Sequence, residues 1–225
     1  PDMRIWVNDL YWSLYNFWIH LRDDGEHLSE CLKELKIEHN TPDKARVLFE
    51  VSKQMLVDNG ESDFEKAKAF WIVNKCSFSG LTESSSFSAG SSNSNFSLNG
   101  IENLKYYSKL IKNWKITNES YENLLTPMPN GFVYLDPPYE IRSALYGRKG
   151  AMHKTFCHDT FSQRCGEHIS DYHMAISYND DDSVRTRYPN WKHVVFPLTY
   201  TMRSNSANYR NNQPKRNELL LINYD

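Results

Sequence analysis

At 225 residues, with 40% hydrophobic and 14% aromatic content, the chain can bury one substantial core and carry a smaller inserted lobe, but has little room for two independent domains. A formal net charge of −2 excludes a polycation, so any phosphate contact must come from a local basic patch. No apolar run reaches the roughly 18 residues needed to cross a bilayer, and Pro1-Asp2-Met3-Arg4 lacks a signal-peptide pattern, so a soluble, cytoplasmic protein is expected.

Residues 4–7 form a short apolar run closed by Asn8-Asp9, and a strongly hydrophobic segment, 10–21, follows: a strand, a polar turn and a helix. From 26 to 114 the pattern is mainly helical. Thr41-Pro42 offers an N-cap with proline at the first helical position, Val47, Leu48, Val51, Met55 and Leu56 follow at helical spacing, and Asn59-Gly60 stops the run. Ser62 and Glu65 make a capping-box pattern ahead of Phe64, Ala67, Phe70, Trp71 and Val73.

Residues 77–97 break this pattern with a serine-, asparagine- and glycine-rich stretch carrying Phe78, Phe87 and Phe96. It reads either as a plain loop or as a long hairpin ordered by a ligand. A helix over 101–114 returns the chain to the main body. After Pro129-Asn130-Gly131, residues 132–135 signal a buried strand ending at Asp136. A helix near 161–170, a strand at 174–177 and an acidic helix start at Asp180-Asp181-Asp182 follow. Residues 193–200 and 218–223 are two strands joined by a basic connection holding Arg203, Arg210, Lys215 and Arg216. Alternating strands and helices imply a mainly parallel α/β sheet, with the last pair antiparallel.

Asp136-Pro137-Pro138-Tyr139, directly after an apolar strand, carries the strongest chemical signal. Ligands of open α/β sheets gather outside the carboxyl ends of strands. An aromatic amino group is a poor nucleophile because its lone pair is delocalised. A carboxylate and a backbone carbonyl that accept its two protons localise electron density on the nitrogen. Consecutive prolines fix the backbone that presents those acceptors, and a tyrosine offers a flat face to an extruded base. The bland alternative is a rigid Asp-Pro turn. Asp9, at an earlier strand end, suits the ribose hydroxyls of a nucleoside cofactor, although Asn-Asp is also a common helix cap. The cysteines Cys31, Cys76, Cys157 and Cys165 show no paired spacing and read as free thiols. Cys157, His158, Cys165 and His168 fit no common zinc pattern, so no metal is expected.

With these residues in place, the chain resembles the Dam-family (D12 class) DNA adenine N6-methyltransferases. Residues 5–16 resemble the acidic strand and following helix, 70–81 the start of the DNA-reading region, 132–139 the catalytic motif, 176–180 a later strand end and 203–221 the closing hairpin. The resemblance implies a Rossmann-like fold in which residues 1–25 and 115–225 form the catalytic domain and 26–114 an inserted, mainly helical recognition region. It implies S-adenosylmethionine as cofactor, with Asp9 on its ribose and Leu10 near its adenine. Asp136, Pro137, Pro138 and Tyr139 would bind a flipped adenine, with Asp136 also near the cofactor. Lys75, Ser79 and Arg203 would contact double-stranded DNA. A solvated helix-end lysine is the competing reading for Lys75. The family's glycine-rich cofactor segment is missing, and no Gly-x-Gly occurs anywhere, so a chain truncated at its start is expected. The stretch 76–104 lacks arginine and lysine, which leaves the recognised sequence open. Cytosine N4 or RNA adenine methylation, and a catalytically silent DNA-binding module, are the alternatives.

Overall fold

The computed structural model describes residues 3–78, 85–127, 131–139, 155–199 and 215–225. They fall into two compact units, one reaching Ser120 and the other beginning at Tyr121.

The first unit is a helical cluster beside a two-stranded parallel sheet. Strand β1 (Trp6–Asn8) pairs with β2 (Lys115–Thr117), Val7 opposite Ile116, so the chain returns alongside its own first strand after the helices. Helix α1 (Trp12–Glu38) is longer than the expected 10–21 segment because Leu28 and Leu32 extend the buried stripe. It kinks at Asp24, whose φ of −140° and ψ of 38° leave the helical region. The next residue, Gly25, lets α1 closely approach the helix that carries Ser108: a Cβ there would stand 2.4 Å from Ser108 Cβ.

Helices α2 (Pro42–Met55) and α3 (Asp63–Cys76) begin where the capping residues place them. Thr41 Oγ1 accepts from the Lys44 amide at 3.4 Å, and Ser62 Oγ accepts from the Glu65 amide at 3.3 Å. Such caps each contribute about 1 kcal/mol. Helix α5 (Leu98–Leu110) starts earlier than expected because Ser97 caps it at Gly100, 3.1 Å away.

The serine-rich stretch is folded where it is described. Ser77 and Phe87 make an antiparallel bridge, and α4 (Ala89–Ser94) follows. Phe87 packs edge-on against Phe49, and Phe96 is fully buried in the helical core. Two of the three spaced phenylalanines are thus packing residues, while Phe78 is exposed.

The second unit opens with α6 (Tyr121–Leu124) and holds a four-stranded sheet of order β3-β4-β6-β5. Strand β3 (Phe132–Leu135) pairs parallel with β4 (His173–Asn179). Strand β6 (Lys215–Ile222) lies antiparallel between β4 and β5 (Lys192–Thr199), as the apolar closing pair implies. Helix α7 (His158–Glu167) packs Phe161 and Cys165 into the core, and α8 (Asp182–Arg187) is capped by Asp181 through the Ser183 amide at 2.9 Å.

One strand departs from its expected character. β3 is not buried but alternates: Phe132 and Tyr134 are 59% and 58% exposed, while Val133 and Leu135 turn toward the core. It forms the edge of this sheet among the described residues, so one face of its four apolar residues stays open. No described helix is long and apolar enough to cross a membrane.

Burial pushes the thiols of Cys76 and Cys165 up from 9.0 to about 12, and that of the Tyr172 phenol from 10.0 to about 12. The folded chain therefore keeps protons that the unfolded chain releases. Their contribution to stability is complete below about pH 9 and is lost as pH rises toward 12. The urea midpoint, measured under reducing conditions, is expected to fall between pH 8 and pH 10.5. An unchanged midpoint would show that these groups titrate freely in the fold.

Candidate active site

The chemistry-bearing residues of the second unit gather at the carboxyl ends of β3 and β4. Strand β3 stops at Asp136 because Pro137 has no amide hydrogen to continue the ladder. Pro137 is buried and Asp136 exposed, so the imino acid anchors the turn while the carboxylate faces outward. The parallel register, Leu135 opposite Ile176, sets Asp136 beside Ser177. The Ser177 hydroxyl donates to Asp136 Oδ1 at 2.8 Å. Among the described residues Asp136 Oδ2 has no partner, leaving an acceptor for a ligand N–H.

Tyr139 is half-buried, with its ring 6.3 Å from that of Tyr178 at 34°. Burial pushes its phenol well above the usual range, and the Glu218 and Asp136 charges add to this. Tyr139 therefore stays neutral at any working pH. Tyr178 is wholly buried, its hydroxyl 2.9 Å from His158 Nδ1 and its ring 6.1 Å from that of Tyr188. These rings form a fixed floor under the tyrosine of the motif. Beyond β4, the Arg185 guanidinium donates to Asp180 at 2.7 Å and holds that carboxyl below its ordinary range.

In the first unit, Asp9 follows β1 and is half-buried, while Leu10 is 56% exposed. Asp9 Oδ1 accepts from the Tyr11 amide at 2.7 Å, but the helix N-cap is Tyr11, so Asp9 makes a local turn two residues ahead of the cap rather than the helix cap open to an Asn-Asp pair. Its backbone is also pinned. Asn118 Nδ2 donates to Asp9 O at 2.8 Å, and Asn8 Oδ1 accepts from the Thr117 hydroxyl and the Glu119 amide, each at 2.9 Å. A held carboxylate at the end of a parallel strand, next to an open leucine, fits the ribose hydroxyls and flat adenine of a nucleoside cofactor.

The expected DNA contacts fare differently. Lys75 is half-buried, with Nζ 4.5 Å from the centre of the Trp71 ring, and burial lowers its pKa. This lysine is engaged in packing within its own unit. Ser79 and Arg203 lie outside the described residues, as does Arg210. The four side chains weighed as a zinc set each have separate surroundings. Cys157 Sγ accepts from the Thr160 hydroxyl at 3.1 Å, His158 meets Tyr178, Cys165 is buried, and His168 Nδ1 lies 2.7 Å from Asp171.

Ser177, Tyr134, Asn8 and Asn118 are the neighbours that sequence reasoning missed. Their side chains gain meaning only from strand register, which residue type and spacing do not encode. Residues 2–196 match the family model for D12 class N6 adenine-specific DNA methyltransferases. No match is found among curated proteins.

Proposed function

Because the chain belongs to the D12 class of N6 adenine-specific DNA methyltransferases, we propose that Asp136, Pro137, Pro138 and Tyr139 grip the target amino group and that Asp9 and Leu10 hold S-adenosylmethionine. The cofactor supplies an electrophilic methyl group on a sulfonium sulfur. The remaining work falls to the chain. Asp136 accepts a hydrogen bond from one amino N–H and a carbonyl beside the prolines accepts one from the other, which turns the nitrogen lone pair out of conjugation; one of these two protons leaves as the nitrogen takes the methyl group. Tyr139, kept neutral and braced by Tyr178, gives the extruded base a surface to lie on. The observation carrying this reading is the exposed Asp136 carboxylate, fixed at a strand end by Ser177 and a buried proline.

The proposed division of labour follows the chain. Residues 1–25 and 115–225 make a Rossmann-like catalytic domain, and 26–114 form an inserted recognition region for double-stranded DNA. The parallel pairing of β1 with β2, which bracket the helices, supports it, as does the kink of α1 at Asp24. Arg203 is proposed to hold phosphate, with Lys75 and Ser79 near the recognised bases.

The test is to incubate the protein with duplex DNA and labelled S-adenosylmethionine, then digest the DNA to nucleosides. Label in N6-methyladenine is expected. Label in N4-methylcytosine would overturn the base assignment, and label confined to an RNA substrate would overturn the choice of nucleic acid.

A further inference from the structure

We infer that Ser177 is a positioning residue for methyl transfer, its hydroxyl, itself oriented by the Tyr134 phenol, locking the Asp136 carboxylate into one preset arrangement toward the target amine. The inference rests on the reading of Asp136 and Tyr139 given above.

A serine hydroxyl has one proton to give and two lone pairs to fill. At Ser177 the Asp136 carboxylate accepts the hydroxyl hydrogen bond at 2.8 Å, and the Tyr134 hydroxyl donates to the oxygen at 3.0 Å. The alternative acceptor, Leu135 O, stands at 3.5 Å, too far to compete with a charged oxygen at 2.8 Å. With the Tyr134 hydroxyl donating to its oxygen, the Ser177 hydroxyl has one favourable direction for its own proton, toward Asp136. The carboxylate is thereby held by Oδ1, and Oδ2 is left to the ligand.

The support beneath this hub is rigid. Ser177 is 7% exposed and lies on β4, paired on one side with β3 and on the other with β6, where it faces Leu220. Its chain neighbours Ile176 and Tyr178 are wholly buried. Groups that orient a reacting carboxylate from a fixed strand change the rate more than the binding, because a small misplacement costs about 10²-fold in the chemical step.

The experiment is single-turnover methyl transfer on the full chain with DNA and S-adenosylmethionine prebound, alongside steady-state KM values and thermal melting. Ser177→Ala is expected to slow the chemical step about 30-fold or more while both KM values stay within about threefold. Ser177→Thr, which restores a hydroxyl, is expected to recover most of the rate. Tyr134→Phe, a change at an exposed side chain, is expected to slow it several-fold. A Ser177→Ala rate within twofold of the unaltered protein overturns the inference, as does a loss that Thr does not recover. If Ser177→Ala does not fold, the Tyr134→Phe rate decides alone, and an unchanged rate overturns the inference. Asp136→Ala run in parallel separates the two levels. An active Asp136→Ala sinks the site reading itself, whereas an inactive one beside a fully active Ser177→Ala sinks only the role of Ser177.

Discussion

Asp136→Ala is expected to lower the rate of methyl transfer by about 10³-fold or more, with little change in S-adenosylmethionine affinity or in melting temperature. The side chain is exposed, so its removal opens no cavity and strands no buried partner ion. Its one described bond, from Ser177 at 2.8 Å, is replaceable because Leu135 O lies 3.5 Å from the same hydroxyl. The stability cost is therefore about 1 kcal/mol at most. The chemical cost is of another order. Without the carboxylate the amino nitrogen keeps its lone pair in the ring and loses the group that orients it. Asp136→Asn sharpens the point, since it keeps one oxygen acceptor and removes the charge. An intermediate loss, about 10²-fold, is expected. Single-turnover assays with melting curves check both variants, and a fully active Asp136→Ala would show that the motif is only a turn.

How much of this was legible beforehand depends on the range of the interaction. Local rules carried far: Thr41, Ser62 and Asp181 cap helices where their spacing says they should. The apolar runs of the closing hairpin pair antiparallel. The Asp-Pro-Pro-Tyr motif also ends its strand as expected, because proline cannot donate to a ladder. What the sequence could not convey was non-local. Strand β2 is only three residues long, too short for periodicity to mark, and exists because β1 offers it a parallel edge. The openness of β3 came from its edge position, which composition does not report. The Ser177 contact to Asp136 needed the β3–β4 register, and the stacking of Lys75 on Trp71 needed the helix face that the two share. Serine-rich composition leaves 77–97 open between a plain loop and a long hairpin, and only the tertiary contacts of Phe87 and Phe96 with the helical core show how its described part is anchored.

Asp9 presents the harder separation, because its carboxylate has a local role as well as a proposed ligand. It accepts from the Tyr11 amide at 2.7 Å, just ahead of a helix whose N-cap, Tyr11, has no side-chain cap of its own. Asp9→Ala removes both roles, so it is expected to weaken S-adenosylmethionine binding about 10²-fold and to cost about 1 kcal/mol of stability. Asp9→Asn distinguishes them. The amide oxygen still accepts from Tyr11, so the melting temperature is expected to hold, while the neutral group binds ribose hydroxyls less well and affinity falls about tenfold. Calorimetric titration with S-adenosylmethionine, read beside melting curves, gives both quantities. If Asp9→Asn binds the cofactor as tightly as the unaltered chain, and Asp9→Ala loses affinity only in step with its stability, then Asp9 is a turn residue. The cofactor must in that case be held by other groups. If affinity falls while the fold holds, the carboxylate charge itself is what the ribose meets, and the Asn8 and Asn118 bonds that pin this strand end become part of the binding site's scaffold.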